Sequence, residues 1–224
     1  MEEDIRIIEM SFVNAFLVKT EGGFILIDTG LAMFRDKLEN GLLSAGCTPG
    51  KLRLVVITHG DFDHTGNCSM LQKKYHCKIA MHKDDSSMAE NLVFLKRKTR
   101  TLSGKVFTLL RKISRKIKGM KFSFDKFTPD LFLHDGQRLD EFGFKATVIH
   151  IPGHTRGSIG LLTDDGALFA GDTFTNRSKP DVATYVENAS ELENSIRRLK
   201  TLPVKTVYPG HGKPFEMKQL FHTV

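Results

Sequence analysis

The chain has 224 residues, with 33 Lys and Arg against 26 Asp and Glu and a formal net charge of +7. Apolar residues make up 40% and charged residues 26%, proportions typical of soluble globular proteins, which excludes a disordered tail, a collagen-like fibre and a coiled coil. No segment approaches the ~20 apolar residues that a membrane-spanning helix needs, so no transmembrane segment is expected.

The first elements along the chain predict the start of a mixed sheet. Two apolar runs, 12–18 and 24–28, are joined by a short turn with two glycines, as in a β-hairpin. A helix is expected over 31–45, and the β-branched run 52–58 is typical of a strand buried on both faces. Such a strand delivers the next residues to its carboxyl end, where α/β proteins tend to place their chemistry.

The rest of the chain continues this alternation of strands and helices. Ser190 and Glu193 are spaced as in a capping box, which predicts the start of a helix that ends near Lys200. The other predicted elements are a helix at 70–75 and strands at 78–81, 146–151, 158–163, 167–170 and 206–208. We therefore expect an α/β fold in a single domain over residues 1–224.

Positive charge is concentrated in one segment. Residues 91–124 contain eleven Lys and Arg and no acidic residue, so the remainder has 22 positive against 26 negative charges, a net charge of −4. The apolar side chains in this segment recur at helical spacing, with basic side chains opposite; they are Val106, Leu110, Ile113 and Ile117. This pattern predicts a basic helical insertion or lid over residues 83–125.

Three roles are open for the insertion. Its charges could be solvated on a lid helix, or they could form an electrostatic funnel for an anionic small-molecule substrate. Contact with nucleic acid or an anionic membrane is the third alternative. Nucleic acid is the least favoured partner, although it is not excluded, because few aromatic side chains lie between the basic ones for base stacking.

Four of the nine histidines follow predicted strands and have glycine or aspartate beside them. A single histidine is more often structural than metal-binding, but four in such positions with carboxylates nearby favour a metal site. Imidazole and carboxylate are the ligands suited to zinc, iron or manganese, and the flanking glycines leave space near an ion. The candidate metal ligands are His59, Asp61, Asp63, His64, His154, Asp172 and His211.

The order of these motifs resembles that of the metallo-β-lactamase superfamily, especially its glyoxalase II-like hydrolases. The resemblance runs from Asn14 and the Asp28-Thr29-Gly30 turn to His211, almost the whole chain. It implies a four-layer αβ/βα sandwich with a dinuclear metal site along one edge and Asp28 bracing that site. It also implies the ligand sets, which are His59 and His154 for the first metal, Asp63, His64 and His211 for the second, and Asp172 as the bridge.

One position departs from the usual family motif, His-x-His-x-Asp-His, because Asp61 replaces its second histidine. If Asp61 is a ligand, the first metal has two imidazoles and a carboxylate besides the bridge, a set that is also typical of non-haem iron. If its side chain is too short, the first site is weak and one metal would have to suffice for function. We favour ligation, because a charged residue beside the site would otherwise lack a partner.

The resemblance implies a metal-dependent hydrolase. Two divalent ions, zinc first and iron or manganese as alternatives, would lower the pKa of a shared water, and the metal-bound hydroxide would attack a small ester, thioester or lactone. Asp63 and Asp172 are the candidate catalytic residues, because Asp172 would bridge the metals and Asp63 could also steer a proton. The alternatives are a phosphodiesterase or nuclease that uses the basic insertion, and an iron-dependent redox protein with persulfide or oxygen chemistry.

Other residues carry weaker predictions. The acidic start of the chain and three cysteines without a C-x-x-C pattern predict a cytoplasmic location. His150 is expected to be structural, and His82 either lines a pocket or lies on the surface. Thr155 and Ser158 are expected to brace the turn after His154. Tyr185 is a weak candidate for contact with a reaction intermediate.

Overall fold

The computed structural model describes residues 4–91, 98–99 and 125–220, with only the backbone described at 89–91 and 98–99. In this part of the chain, two β-sheets pack face to face and helices cover their outer faces. No helix among these residues has the length and apolar character needed to cross a membrane.

The first sheet comes from the amino-terminal half of the chain. Its strands, hydrogen-bonded in this order, are β1 (Asp4–Met10), β2 (Val13–Thr20), β3 (Gly23–Ile27), β4 (Leu52–Ile57), β5 (Lys78–His82) and β7 (Leu131–Leu133). The pairs β1–β2 and β2–β3 are antiparallel, whereas β3, β4, β5 and β7 are parallel. The helices among them are α1 (Arg35–Ser44), α2 (Phe62–Thr65), α3 (Cys68–Tyr75) and α4 (Ser86–Asn91).

The second sheet comes from the carboxyl-terminal half. Its strands, in hydrogen-bonded order, are β14 (Phe215–Glu216), β13 (Thr206–Gly212), β10 (Ala167–Asn176), β9 (Ile159–Thr163) and β8 (Ala146–His150). Strands β10 and β13 are parallel, and β11 (Asp181–Val182) pairs with β10. A separate pair joins β6 (Lys98–Thr99) to β12 (Tyr185–Val186), which precedes α5 (Ala189–Leu199).

The alternation of side chains along the strands explains the layers. On β4, Leu54 and Val56 pack in the cluster between the sheets, whereas Val55 and Ile57 pack in the cluster that includes α1 and α3. The outer face of the second sheet packs against Leu199 of α5. The expected four-layer αβ/βα sandwich is confirmed, and so is the strand buried on both faces.

Several local expectations need correction. The first helix begins at Arg35, after a 3-10 turn at Ala32–Phe34, and not at residue 31. The capping-box prediction is wrong, because Asn188 has an extended backbone and its side chain accepts hydrogen bonds from the N–H groups of Ser190 and Glu191. Strands β1 and β7 were not predicted from the sequence.

The basic insertion stays a prediction. The apolar stripe from Val106 to Ile117 lies outside the described residues. Of the predicted segment 83–125, α4 is helical, but Lys98–Thr99 forms a strand because its backbone pairs with β12.

Candidate metal centre

All seven candidate ligands meet at one edge of the sandwich, where strands of both sheets end. His59 follows β4, Asp61 precedes α2, and His154 lies in the loop after β8. The remaining four lie on three elements, with Asp63 and His64 in α2, Asp172 in β10 and His211 in β13. Residues more than 150 positions apart in the chain therefore reach one centre.

We call His59, Asp61 and His154 the first group. Asp61 Oδ2 lies 3.5 Å from His59 Nε2 and 3.2 Å from His154 Nε2. His59 and His154 are buried, and ligand atoms of these two histidines and Asp172 lie within 4.8 Å of one another. The aspartate that departs from the family motif thus reaches both histidines.

We call Asp63, His64 and His211 the second group. Their ligand atoms also lie within 4.8 Å of one another, and His211 Nε2 lies 3.6 Å from Asp63 Oδ2. Asp172 contacts both groups. Its Oδ1 lies 3.3 Å from His64 Nε2, and its Oδ2 lies 3.2 Å from His211 Nε2 and 3.6 Å from His154 Nε2. This is the position that a bridging ligand would need.

Each histidine uses its Nδ1 atom for a contact behind the centre. His154 Nδ1 donates to the Tyr185 carbonyl at 2.7 Å, and His211 Nδ1 donates to the carbonyl of Phe12. A carbonyl oxygen can only accept, so the proton of each neutral ring lies on Nδ1 and the Nε2 lone pair points into the centre. The four Nε2 atoms are thereby available to bind a cation.

Asp28 supports the other two histidines, as the resemblance implied. His64 Nδ1 donates to Asp28 Oδ2 at 2.8 Å, and the Thr58 hydroxyl donates to the same oxygen at 2.8 Å. Because that hydroxyl proton goes to Asp28, Thr58 Oγ1 can accept from His59 Nδ1, which lies 3.0 Å away. Asp28 is fully buried with a φ of 58°, a left-handed conformation that Asp tolerates better than most residues.

Two glycines leave the space that this packing requires. A Cβ atom at Gly210 would lie 2.6 Å from Asp172 Oδ1 and 2.6 Å from His64 Cε1. At Gly171, which has a φ of 50°, a Cβ atom would lie 2.5 Å from Thr58 Oγ1. Any larger residue at either position would displace a ligand or its support. Asn14 supports the His211 segment, because its Nδ2 donates to the Gly212 carbonyl at 2.7 Å.

The charges of the centre shift one another's pKa values. Burial lowers the pKa of His64, but Asp28 and Asp172 outweigh it and hold this pKa well above its usual value. Asp172 likewise outweighs burial and raises the pKa of His211. Burial raises the pKa of Asp172, but His211 and His64 outweigh it and keep this pKa well below its usual value. The centre therefore stabilises positive charge, whether protons or metal ions carry it.

Three buried atoms test whether a metal fits. His59 Nε2, His64 Nε2 and Asp172 Oδ1 have no hydrogen-bond partner among the described residues, and the 3.3 Å contact of His64 with Asp172 lacks hydrogen-bond orientation. A buried polar atom left unpaired costs about 1–3 kcal/mol, and all three atoms belong to candidate ligands. Bound cations would satisfy them, so the residues fit a metal pair.

Asp85 is a buried residue of the centre that the sequence did not indicate. Its carboxylate accepts from the N–H of Gly60, the N–H of Gly157 and the hydroxyl of Thr155. The only sequence signal is a carboxylate shortly after the end of a strand, which is a common surface pattern. Its importance depends on contacts with residues 25, 72 and 70 positions away.

The weaker sequence predictions have mixed outcomes. Thr155 and Ser158 brace the turn as expected, since their hydroxyl oxygens lie 2.7 Å apart and Ser158 Oγ accepts from the N–H of Thr155. His150 is structural, with Nε2 2.9 Å from the Arg156 carbonyl oxygen, and its ring stacks on His82 at 4.3 Å. Tyr185 reaches the centre through its backbone carbonyl.

A cavity of about 330 Å³ opens beside the metal centre. His154, Asp172 and His211 form its inner wall, and the segment after β10 forms its outer wall. That outer wall includes the exposed side chains of Arg177 and Lys179, which form no ion pair among the described residues. The same segment contributes the exposed carboxylate of Asp181, so the cavity connects the candidate ligands to a rim with two cations and one carboxylate.

Residues 9–211 match the family description "Metallo-beta-lactamase superfamily". The chain belongs to this superfamily. Acyl-coenzyme A thioesterase MBLAC2 of Bos taurus is 30% identical to this superfamily member, over 93% of this chain and 76% of the relative. An uncharacterized protein of Mycobacterium leprae, ML0493, is 29% identical over 70% of this chain and 68% of its own length.

Solved structures of the metallo-β-lactamase superfamily share the architecture. BJP-1, a subclass B3 metallo-β-lactamase of Bradyrhizobium japonicum, has a TM-score of 0.69 and 18% identity, over 93% of this chain and 75% of BJP-1. The family protein TTHA1429 of Thermus thermophilus has a TM-score of 0.70 and 21% identity, over 96% and 74% of the two chains. At these identities the likeness establishes the fold alone.

Proposed function

We propose that this chain is a dinuclear metal-dependent hydrolase that acts on a small thioester, with esters and lactones as related substrates. The observation that carries the proposal is the convergence of four buried histidine Nε2 atoms and three carboxylates, with buried atoms that lack another partner. In this assignment the first group would hold one metal, the second group would hold the other, and Asp172 would be shared between them.

Asp61 belongs to the proposed ligand set. The 3.2 Å and 3.5 Å separations from the two first-group histidines favour ligation over the alternative in which its side chain is too short. Each group then has two imidazoles and one carboxylate of its own. Zinc is the first choice for such ligands, and iron and manganese are the alternatives.

Two divalent ions would supply a water that ionises near neutral pH and would polarise the carbonyl oxygen of the substrate. The protein residues orient the site. Asp28, Thr58 and the two carbonyls hold the imidazole rings, and Asp172 keeps its charge because its pKa is low. Asp63, whose Oδ2 lies 3.6 Å from His211 Nε2, would serve mainly as a ligand of the second group and could also steer a proton to or from the reacting water.

The thioester assignment rests on the relative and on the cavity. The bovine relative is named an acyl-coenzyme A thioesterase, and coenzyme A thioesters carry several phosphate charges. Arg177 and Lys179 line the outer wall of the cavity, and Phe174 and Ala183 add apolar surface. We infer that an anionic substrate places its negative arm against these two cations and its acyl group toward the centre.

The two cations allow a direct test of the anionic arm. Replacing both Arg177 and Lys179 with alanine should lower kcat/KM for an acyl-coenzyme A substrate by about 3- to 10-fold at low salt, and the difference should shrink at high salt. The matched control removes two exposed lysines at the opposite edge, Lys19 and Lys145. An equal loss of kcat/KM in the control variant would contradict the proposed contact with the anionic arm. The same holds if the Arg177 and Lys179 variant loses as much kcat/KM on an uncharged ester.

Activity and metal content test the hydrolase itself. The wild-type protein, reconstituted with zinc, should hydrolyse acyl-coenzyme A, ester or lactone substrates faster than phosphodiesters and should hold two metals per chain by elemental analysis. His64→Ala with His211→Ala should remove activity and metal together, whereas the exposed control His134→Ala should change neither. Unchanged turnover in the double variant would refute the site.

An iron-dependent redox function is the second candidate. The observation that favours it is Asp61, which gives each group the two-imidazole, one-carboxylate composition of many non-haem iron sites. Protein purified without added metal distinguishes the candidates. Two zinc ions and no iron would contradict the redox function, and iron with oxygen or persulfide turnover would replace the hydrolase. A phosphodiesterase depends on the basic insertion and stays a prediction.

The location in the cell is part of the same proposal. The three cysteines are free and buried, which supports the cytoplasm as the compartment, because free thiols persist where the environment is reducing.

A further inference from the structure

A buried carboxylate joins two loops of the metal centre. Asp85 ends a 3-10 turn after β5 and has no exposed surface. Its Oδ2 accepts from the N–H of Gly60 at 2.8 Å and from Thr155 Oγ1 at 2.8 Å, and its Oδ1 accepts from the N–H of Gly157 at 3.0 Å. Three donors therefore stabilise this charge, and all three come from the loops that carry candidate ligands.

The position of the three donors makes Asp85 specific for one group. Gly60 follows His59, and Thr155 follows His154, so both loops belong to the first group. The histidines of the second group rest on Asp28 and on the Phe12 carbonyl instead. Movement of Asp85 would thus shift His59 against His154 and leave the other two histidines in place.

The glycines beside the carboxylate indicate how closely the loops are held. A Cβ atom at Gly157 would lie 2.6 Å from both Cγ and Oδ1 of Asp85, and one at Gly60 would lie 3.1 Å from the Asp85 carbonyl oxygen. Both loops therefore approach Asp85 by their backbones. A buried charge without such hydrogen bonds would be strongly unfavourable, so the carboxylate and the loop geometry stabilise each other.

We propose that Asp85 is a positioning residue that sets the metal affinity of the first group and not of the second. The proposal rests on the metal centre assigned above. Asp85 contacts no candidate ligand side chain, and it acts through the N–H groups of Gly60 and Gly157 and the hydroxyl of Thr155. Its effect should therefore appear as a change in one of two metal-binding constants.

The test compares Asp85→Asn with the control Asp36→Asn in the full chain. An asparagine that keeps its oxygen on Gly60 and Thr155 must turn its NH₂ group toward the N–H of Gly157, a contact of two donors. Asp36 is exposed on α1 and forms no ion pair among the described residues, so its change should be silent. Stepwise zinc affinities are measured by chelator competition, and metal per chain is measured after dialysis.

We expect two zinc-binding constants in the wild-type protein. In Asp85→Asn one zinc-binding constant should fall by about 10- to 100-fold, the range typical for residues that orient metal ligands. The other zinc-binding constant should be unchanged. The weakened position is identified with His59→Ala and His154→Ala combined, which remove both histidines of the first group. Asp85→Asn should change the remaining affinity little in that background, because the position on which it acts is already lost.

Milder variants keep the proposal falsifiable if Asp85→Asn does not fold. Thr155→Val removes one of the three hydrogen bonds and should lower the same constant by a smaller factor, and Thr155→Ser should restore it. If both zinc-binding constants are unchanged, or fall equally, the proposed role of Asp85 is overturned while the proposed function is not. A wild-type protein that binds no metal overturns the proposed function, and the role of Asp85 with it.

Discussion

The two halves of the candidate metal centre have the same types of candidate ligand but different supports. Each group offers two imidazoles and one carboxylate, and Asp172 lies between them. In the second group, His64 donates directly to the carboxylate of Asp28. In the first group, His59 contacts a hydroxyl and His154 contacts a carbonyl. The two groups therefore have the same types of ligand and differ in the residues that hydrogen-bond to those ligands.

Metal sites with the same ligands can differ in affinity when the groups that orient those ligands differ. A carboxylate behind an imidazole raises the basicity of that ligand more than a neutral acceptor does. The raised pKa of His64 shows this effect of Asp28 and Asp172 after burial has opposed it. We therefore expect the first equivalent of zinc to bind to the second group, which contains His64. The second equivalent should then bind to the first group, which contains His59.

The largest expected effect comes from the residue that the groups share. Asp172→Asn keeps the shape of the side chain but removes the negative charge that faces both groups. Both zinc affinities should fall by at least ~100-fold and activity should be lost, because ligands are affected more than their supports. Chelator competition and the substrate assay measure this, and loss of only one metal would argue against a bridge.

A smaller and one-sided effect is expected at Asp28. Asp28→Asn fits the positive φ of this position, since asparagine also tolerates the left-handed region, but it removes the charge behind His64. Affinity of the second group should fall by about 10- to 100-fold. The first group should change less, because Thr58 separates His59 from Asp28. Equal losses in both constants would mean that the supports are not separate.

The metal-free protein should take up zinc more tightly as the pH rises. His64 and His211 have pKa values raised above 6.5, mainly by carboxylates that overcome the effect of burial, so the folded protein holds these protons above that pH. Stability from the protons is present below pH 6.5 and is lost as the pH rises through the raised values.

Zinc must displace these protons, so its affinity changes in the opposite direction, by up to about tenfold per pH unit for each proton. Calorimetry in buffers of different ionisation enthalpy should detect proton release at about pH 7 and above. Release should be larger for the second group, which contains both histidines. Zinc uptake without proton release would contradict the charge state inferred for the centre.

The smallest expected change concerns the three cysteines, which pack in the core cluster beneath the helices of the first sheet. Burial raises the pKa of Cys47 and of Cys77 to about 12, and that of Cys68 well above its usual value. Cys68 Sγ lies 3.8 Å from Thr29 Oγ1, next to Asp28. A thiol reagent at about pH 8 should therefore react slowly with the native protein. After unfolding, it should react quickly with all three thiols.

The same reagent compares the supports of the two groups. Slow reaction should persist in Asp28→Asn, because the thiols lie in the apolar core of the helix layer. Fast labelling of Cys68 in that variant would mean that Asp28 stabilises the packing of the core as well as the position of His64.

Much of the fold and of the centre could be predicted from the sequence. The run 52–58 is apolar on both sides because its strand is covered by a sheet on one face and helices on the other. In the sequence the candidate ligands follow predicted strands with glycine or aspartate beside them, and residue type and position together indicate a metal centre, although β10 and β13 in fact continue through Asp172 and His211. The start of α5 was placed wrongly because Asn188 and Ser190 are both good capping residues, and only the backbone conformation selects between them.

The amino-acid sequence is enough to show the order of the motifs, the residue types of the seven candidate ligands and the replacement of a histidine by Asp61. Contacts formed in the folded chain bring Asp61 to His59 and His154 and let Asp85 join the two loops of the first group. Strand periodicity is a local property that repeats every two residues. The support of a histidine by the carbonyl of Phe12, 199 positions away, has no side-chain signature and exists only after the two sheets have packed.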